Sequence, residues 1–188
     1  RTPRLAGHQM LDIRDYLGQG TALIGVLDAF WEPKSYVKAE EFRRFHSETV
    51  PLARLKQRVF TNSETLDCEV GIYHFGAKPI QAAKPYWKIV SANGGTVAKG
   101  NFETRDIPVG KGIPLGFVKF ALDGIPAPAA CKLVVGLEGT AIENDWNFWV
   151  YPKESEQAAT DEVLVCDQWS EASAKLADGG KVIFTPKK

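Results

Sequence analysis

Cysteine and methionine are scarce, with 3 Cys and 1 Met in 188 residues. Cys68, Cys131 and Cys166 are an odd number, too few for a scaffold built on disulfides. Neither sign of charge is in excess: Lys+Arg and Asp+Glu both number 23, and the formal net charge is +0. A nucleic-acid binder should carry a basic stripe and an electrostatic membrane binder a basic face, so neither partner is expected. No apolar run approaches the length that spans a bilayer. A phosphate loop is missing too, because Gly18-Gln19-Gly20 lacks the third glycine and the acidic partner of a dinucleotide fingerprint. His8, His46 and His74 are far apart and share no metal-ligand spacing with each other or with the cysteines, so no metal and no cofactor is expected.

What is present is ordinary globular composition, 44% hydrophobic and 24% charged, in a chain long enough for one good core with a small appendage. Three regions separate. Residues 1–53 read as strand, loop and helix: Gln9-Met10-Leu11-Asp12-Ile13, the loop Gly18-Gln19-Gly20 with the apolar run Ala22 to Leu27, then a helical stretch from Val37 to Phe45. One such unit cannot bury both faces and reads as part of a larger domain.

Residues 54–153 carry alternating runs of strand period. These are Leu66-Asp67-Cys68-Glu69-Val70-Gly71-Ile72, Cys131-Lys132-Leu133-Val134-Val135-Gly136-Leu137 and Trp146-Asn147-Phe148-Trp149-Val150-Tyr151. Pro85 to Val90 turns at Asn93-Gly94-Gly95 and returns as Thr96 to Lys99, a hairpin signal. With Gly116 to Leu122 and an opening strand from Leu55 to Phe60, about seven short strands result, the pattern of an immunoglobulin-like antiparallel β-sandwich. The predicted fold class is therefore mainly β, a sandwich flanked by small α/β segments. Leu66, Val70, Ile72, Trp87, Leu133, Val135 and Leu137 are the expected core. Cys68 and Cys131 fall on apolar strand faces, either as buried free thiols or as a bridge between sheets.

Residues 161–188 switch period. Val163-Leu164-Val165-Cys166 reads as a buried strand, Gln168 to Ala177 as a helix capped by Ser170 or Asp167 and stopped at Gly179-Gly180, and Lys181 to Phe184 as a second strand. This is a βαβ unit that also reads as part of a larger domain.

Two features point toward chemistry. Asp12, Asp15 and Tyr16 sit at the carboxyl end of the first expected strand, where β/α barrels place functional side chains. Asp28-Ala29-Phe30-Trp31-Glu32 sets an aromatic pair beside carboxylates, an arrangement a sugar site uses, although by itself it suits a helix-packing pair with solvated acids better.

The stretch Gly7 to Phe30, continuing through Pro51-Leu52-Ala53-Arg54, resembles the end of the catalytic barrel in large bacterial glycoside hydrolases related to family 2, the β-galactosidase-like enzymes. Asn144-Asp145-Trp146-Asn147-Phe148-Trp149-Val150-Tyr151-Pro152 is similar to the last strand of the sandwich those enzymes carry. The resemblance implies that residues 1–53 are the final strand and helix of a barrel and that the chain is a non-catalytic part of a carbohydrate-acting enzyme. The catalytic carboxylate pair would come from earlier barrel strands, so no catalytic residue is assigned here. Asp12, Asp15 and Trp31 would line a substrate subsite in the parent enzyme. The rival is a stand-alone adhesion or protein-interaction sandwich, displaying Trp149 and Tyr151. The flanking segments, short of neighbours, are expected to fold back on the sandwich or onto each other, or to be buried in a homodimer.

Overall fold

The computed structural model describes residues 9–20, 23–153 and 163–186, in two compact units, 1–153 and 154–188. His8, and parts of the expected boundaries at 1–8 and 154–162, lie outside the described residues.

The first unit is an immunoglobulin-like β-sandwich. Its smaller sheet orders β1 (Thr49–Arg54), β3 (Thr65–His74) and β8 (Gly110–Ala121) side by side, all antiparallel. Its larger sheet runs β2 (Val59–Thr61), β10 (Glu143–Tyr151), β9 (Ala129–Leu137), β5 (Pro85–Ser91) and β6 (Thr96–Asn101). A short ribbon joins β4 (Ile80–Ala83) to β7 (Arg105–Ile107).

Period-two alternation sends one set of side chains into the space between the sheets. From β3 these are Leu66, Cys68, Val70 and Ile72, from β9 Cys131, Leu133, Val135 and Leu137, and from β10 Trp146, Phe148 and Val150, all buried. Phe148 meets Phe60 of β2 edge to face at 5.9 Å, an arrangement aromatic rings favour. The β5–β6 hairpin forms where expected: Ser91 N–H donates to the Gly95 carbonyl at 2.9 Å, and Gly94 takes a φ of +85°. Glycine is required again at Gly116 of β8, where φ is +144° and a Cβ would stand 2.8 Å from the Phe102 ring.

Several expectations need correction. The opening strand is not Leu55 to Phe60 but two strands, β1 and β2, one at an edge of each sheet. Pro51 is tolerated in β1 because edge strands need fewer donors, and the polar run Lys56-Gln57-Arg58 carries the crossing between sheets. The sandwich is not wholly antiparallel, since β2 pairs with β10 in parallel. Trp87 points inward between Pro85 and Ile89 but is only half-buried, since its neighbour β6 is an edge strand and its indole lies over Gly100. Cys68 and Cys131 are free and buried, without a bridge. Burial, reinforced by the neighbouring Asp67 charge, pushes the Cys68 thiol up to about 11.

In residues 9–48 the expected strand is reduced to single bridges, Arg14 with Leu27 in parallel and Leu27 with Pro33. Leu27 N–H donates to the Ile13 carbonyl at 3.1 Å and Asp15 N–H to the Leu27 carbonyl at 3.0 Å. A parallel pair without further strands or a covering helix has little to bury, so the ladder stays short. The helix is a single short turn, α1 (Ala39–Arg43), opened by Lys38 N–H donating to the Glu41 carboxylate at 2.9 Å. The apolar side chains expected to fold back remain exposed, Leu11 at 78% and Ile24 at 69% among them.

The second unit is the expected βαβ: β11 (Val163–Cys166), α2 (Trp169–Ala177) and β12 (Lys181–Phe184), with the strands parallel. The N-cap is Gln168, not Ser170 or Asp167, and the helix ends before Gly179 at φ +77°.

Replacing fully buried Phe148 by Ala should cost about 3–5 kcal/mol, the range for large core aromatics. Trp87→Ala should cost less, because its ring already meets solvent. Urea unfolding midpoints of both variants against the parent chain check this order.

Candidate functional site

The residues singled out in the N-terminal region differ in their surroundings. Asp15 is 7% exposed and acts as a tie. Its Oδ1 accepts from Lys34 Nζ at 2.6 Å and from the Gly25 N–H at 3.0 Å, holding the two bridged segments together. Asp12 lies on the same segment at φ +59°, a conformation that Asp tolerates better than most residues. Trp31, at φ +69°, is 62% exposed, and the Arg14 guanidinium sits 5.2 Å from its ring centroid. The loop that carries Trp31 is shaped by Asp28, whose carboxylate accepts the Phe30 and Glu32 N–H groups at 2.8 and 2.9 Å.

A denser arrangement stands on the outer face of the larger sheet, on the reverse side of the core-facing residues. Register places Asp145, Val134, Lys88 and Lys99 in one row, and Asn147, Lys132 and Val90 in the next. Arg44, just after α1, reaches this face. Its Nη1 donates to Asp145 Oδ1 at 2.6 Å and its Nη2 lies 3.1 Å from Glu143 Oε1. Lys132 Nζ approaches the other Asp145 oxygen at 2.6 Å. The Tyr86 hydroxyl donates to Glu143 at 3.1 Å, and burial together with that carboxylate pushes the phenol up to about 12. Asp145 therefore sits between two cations. Burial alone would raise its pKa, but the hydrogen bonds from Lys132 and Arg44 outweigh it and hold the carboxyl below its ordinary value.

Between α1 and the β9–β10 turn lies an open cavity of about 440 Å³, edged by Glu40, Arg43, Glu48, Thr140 and Glu143. Farther along the same sheet face, a second depression of about 420 Å³ is lined by Trp149, Asn147, Lys132, Ser91, Ala92 and Ala130. Alternation along β10 foretold that Asn147, Trp149 and Tyr151 share a face. The Arg44 contacts and the alanines beside Trp149 escaped the sequence reading, because they depend on pairing between strands far apart in the chain. Among the described residues, no three His, Cys, Asp or Glu side chains group as a metal site. No described helix is long and apolar enough to cross a membrane.

A family model described as a domain of unknown function (DUF8488) matches residues 64–152. No curated protein matches the chain. Among solved structures, the chain is similar to the β-glucuronidase of Parabacteroides merdae with glycerol in its active site. There the identity is 14% and the TM-score 0.39, over 55% of this chain and 14% of that one. It is also similar to a β-glucuronidase from glycoside hydrolase family 2, at 15% identity and a TM-score of 0.36, over 55% of this chain and 11% of the enzyme. The sporulation control protein Spo0M of Bacillus subtilis is a third, at 12% identity and a TM-score of 0.34, covering 58% of this chain and 51% of that one. The chain thus spans only a small part of either enzyme's length.

The lowered Asp145 pKa has a signed consequence for stability. A carboxyl whose folded pKa lies below its unfolded value, about 3.9 for aspartate, contributes stability that is present above that pH. The contribution is lost as pH falls through the folded pKa. Asp145→Asn should therefore lower the melting temperature at pH 7, and the gap to the parent chain should close on acidification below about pH 4. Melting curves of both proteins across that range measure it.

Proposed function

We propose that this chain is the non-catalytic, sandwich-bearing part of a glycoside hydrolase related to family 2, and that it braces the catalytic domain. The observation that carries the reading is the Arg44 clamp, which ties the segment following residues 9–43 to Asp145 and Glu143 on the sandwich. Asn144 adds a buried hydrogen bond from its side-chain amide to the Pro51 carbonyl at 3.0 Å, fixing β1 against β10. A sandwich gripped in this way holds the preceding polypeptide at a set place. In the parent enzyme that polypeptide would be the end of the barrel, as the resemblance of Gly7 to Phe30 implies.

The same reading explains the uncovered side chains Leu11, Leu17, Leu23 and Ile24, all exposed. In the parent enzyme the rest of the barrel would cover them, and in the chain alone a second copy would. Asp12 and Trp31 would then lie at the rim of a substrate subsite, with Asp15 holding the backbone beneath them through Lys34 and Gly25. A second reading, a protein-interaction sandwich, is favoured by one observation: Trp149 and Tyr151 are both exposed on the outer face of β10.

Arg44→Ala removes charge-assisted hydrogen bonds, worth about 1.5–3 kcal/mol when partly buried. Amide hydrogen exchange over residues 13–44 should then quicken about tenfold or more, while β3 and β9 exchange as before. Unchanged exchange in that segment would overturn the bracing role. Activity gives a separate check. The chain should not hydrolyse aryl glycosides above background, because cleavage needs two positioned carboxylates and the resemblance puts both on other barrel strands. Turnover lost on replacing any one carboxylate of this chain would show the parent's catalytic pair to be here.

A further inference from the structure

We infer that the depression beside Trp149 is a pyranose-binding site. Trp149 projects from the outer face of β10, 41% exposed, and its partner across the β9 pairing is Ala130. The turn after β5 contributes Ala92, whose N–H donates to the Ala130 carbonyl at 3.0 Å. Two alanines in succession leave bare sheet beside the indole, and the Ser91–Gly95 turn rises at the far side. The result is an open space of about 420 Å³ with an aromatic wall and a small-residue floor.

Its rim is polar, with Asn147, Lys132 and Ser91 among the lining residues. Asn147, one row away from Trp149, offers an amide oxygen and an amide nitrogen, and its side chain has no hydrogen-bond partner among the described residues. Lys132 lies opposite Asn147 and is already held at 2.6 Å by Asp145, so its ammonium is oriented before any ligand arrives. Ser91 Oγ lies 2.5 Å from Asn93 Oδ1 and 3.0 Å from the Gly95 carbonyl oxygen; its single proton is directed at these two oxygens, and its lone pairs are left to accept. An indole takes up the C–H face of a sugar ring, while amide, ammonium and hydroxyl groups meet the equatorial oxygens. A flat apolar ligand would leave these rim groups unmatched, at a cost. The preference for a sugar over another ring of that size rests also on the glycoside-hydrolase reading above. The cleft itself does not.

The test uses the whole chain labelled with ¹⁵N and titrated with cellobiose, lactose and maltose. At least one should shift the Trp149 indole N–H, the Asn147 side-chain amide and the Ala130 amide saturably. Trp149→Ala should weaken that binding about tenfold or more, the effect of losing an aromatic stack. Ala130→Tyr, which keeps the indole and fills the floor, should do the same, and its dispersed spectrum would show that the fold persists. The inference is overturned if none of the three sugars shifts these signals, or if binding survives Ala130→Tyr. It is overturned equally if the Val59, Trp149 and Tyr151 signals instead move with protein concentration, which would mark a protein-docking face. The bracing role is read from amides in residues 13–44, so the failure of one proposal is told apart from the failure of the other.

Discussion

The burial of Trp146, Phe148 and Val150 commits strand β10 to one orientation, and with it everything displayed on the opposite face. A strand has no freedom to turn one residue without turning the next, since adjacent side chains leave the sheet in opposite directions. Once Phe148 packs on Phe60, the intervening Asp145, Asn147 and Trp149 must face out. A slip of one residue would bury an aspartate and expose a phenylalanine. The same constraint orients β9, whose inward Cys131, Leu133 and Val135 leave Lys132 and Val134 outside. The charged cluster and the aromatic depression are thus consequences of how the core is filled.

The two outer faces of the sandwich are used differently. On the smaller sheet, Glu69 and Asp67 face out and meet Arg54 at 3.5 Å and Lys119 at 3.7 Å, well exposed. Pairs of this kind contribute little and describe a solvated surface. On the larger sheet, Asp145 is mostly enclosed, contacts two cations at 2.6 Å, and one of these comes from outside the sheet. Val134, beside it and pointing outward, is buried although no second layer covers it. Its register neighbours, Lys88 and Asp145, are long or engaged side chains that shield it. The larger sheet therefore holds Asp145, Lys132 and Arg44 in a partly enclosed cluster, where the ion pairs of the smaller sheet stand in solvent.

The N-terminal segment shows the opposite balance. Asp15, Lys34 and the Tyr36 hydroxyl, which donates to the Gly25 carbonyl at 2.5 Å, supply polar ties, while much of the apolar content stays in solvent. Hydrogen bonds of this sort specify a conformation but add little net stability against water.

Alternation in Leu66 to Ile72, Cys131 to Leu137 and Trp146 to Tyr151 determined the strands and their buried faces from the sequence alone. Asn93-Gly94-Gly95 likewise determined the hairpin, and the period change after Val163 determined the βαβ unit. Each of these signals is local, written within one strand or one turn by side-chain spacing and backbone preference. Tertiary structure alone decided that β1 and β2 divide between the sheets, that β2 runs parallel to β10, and that Trp87 is only partly buried beside an edge strand. It alone brought Arg44 to Asp145, Lys34 to Asp15, and the two alanines to Trp149. These pairings join residues far apart in the chain, and their register follows from the packing of all the strands together, which no single stretch of sequence contains.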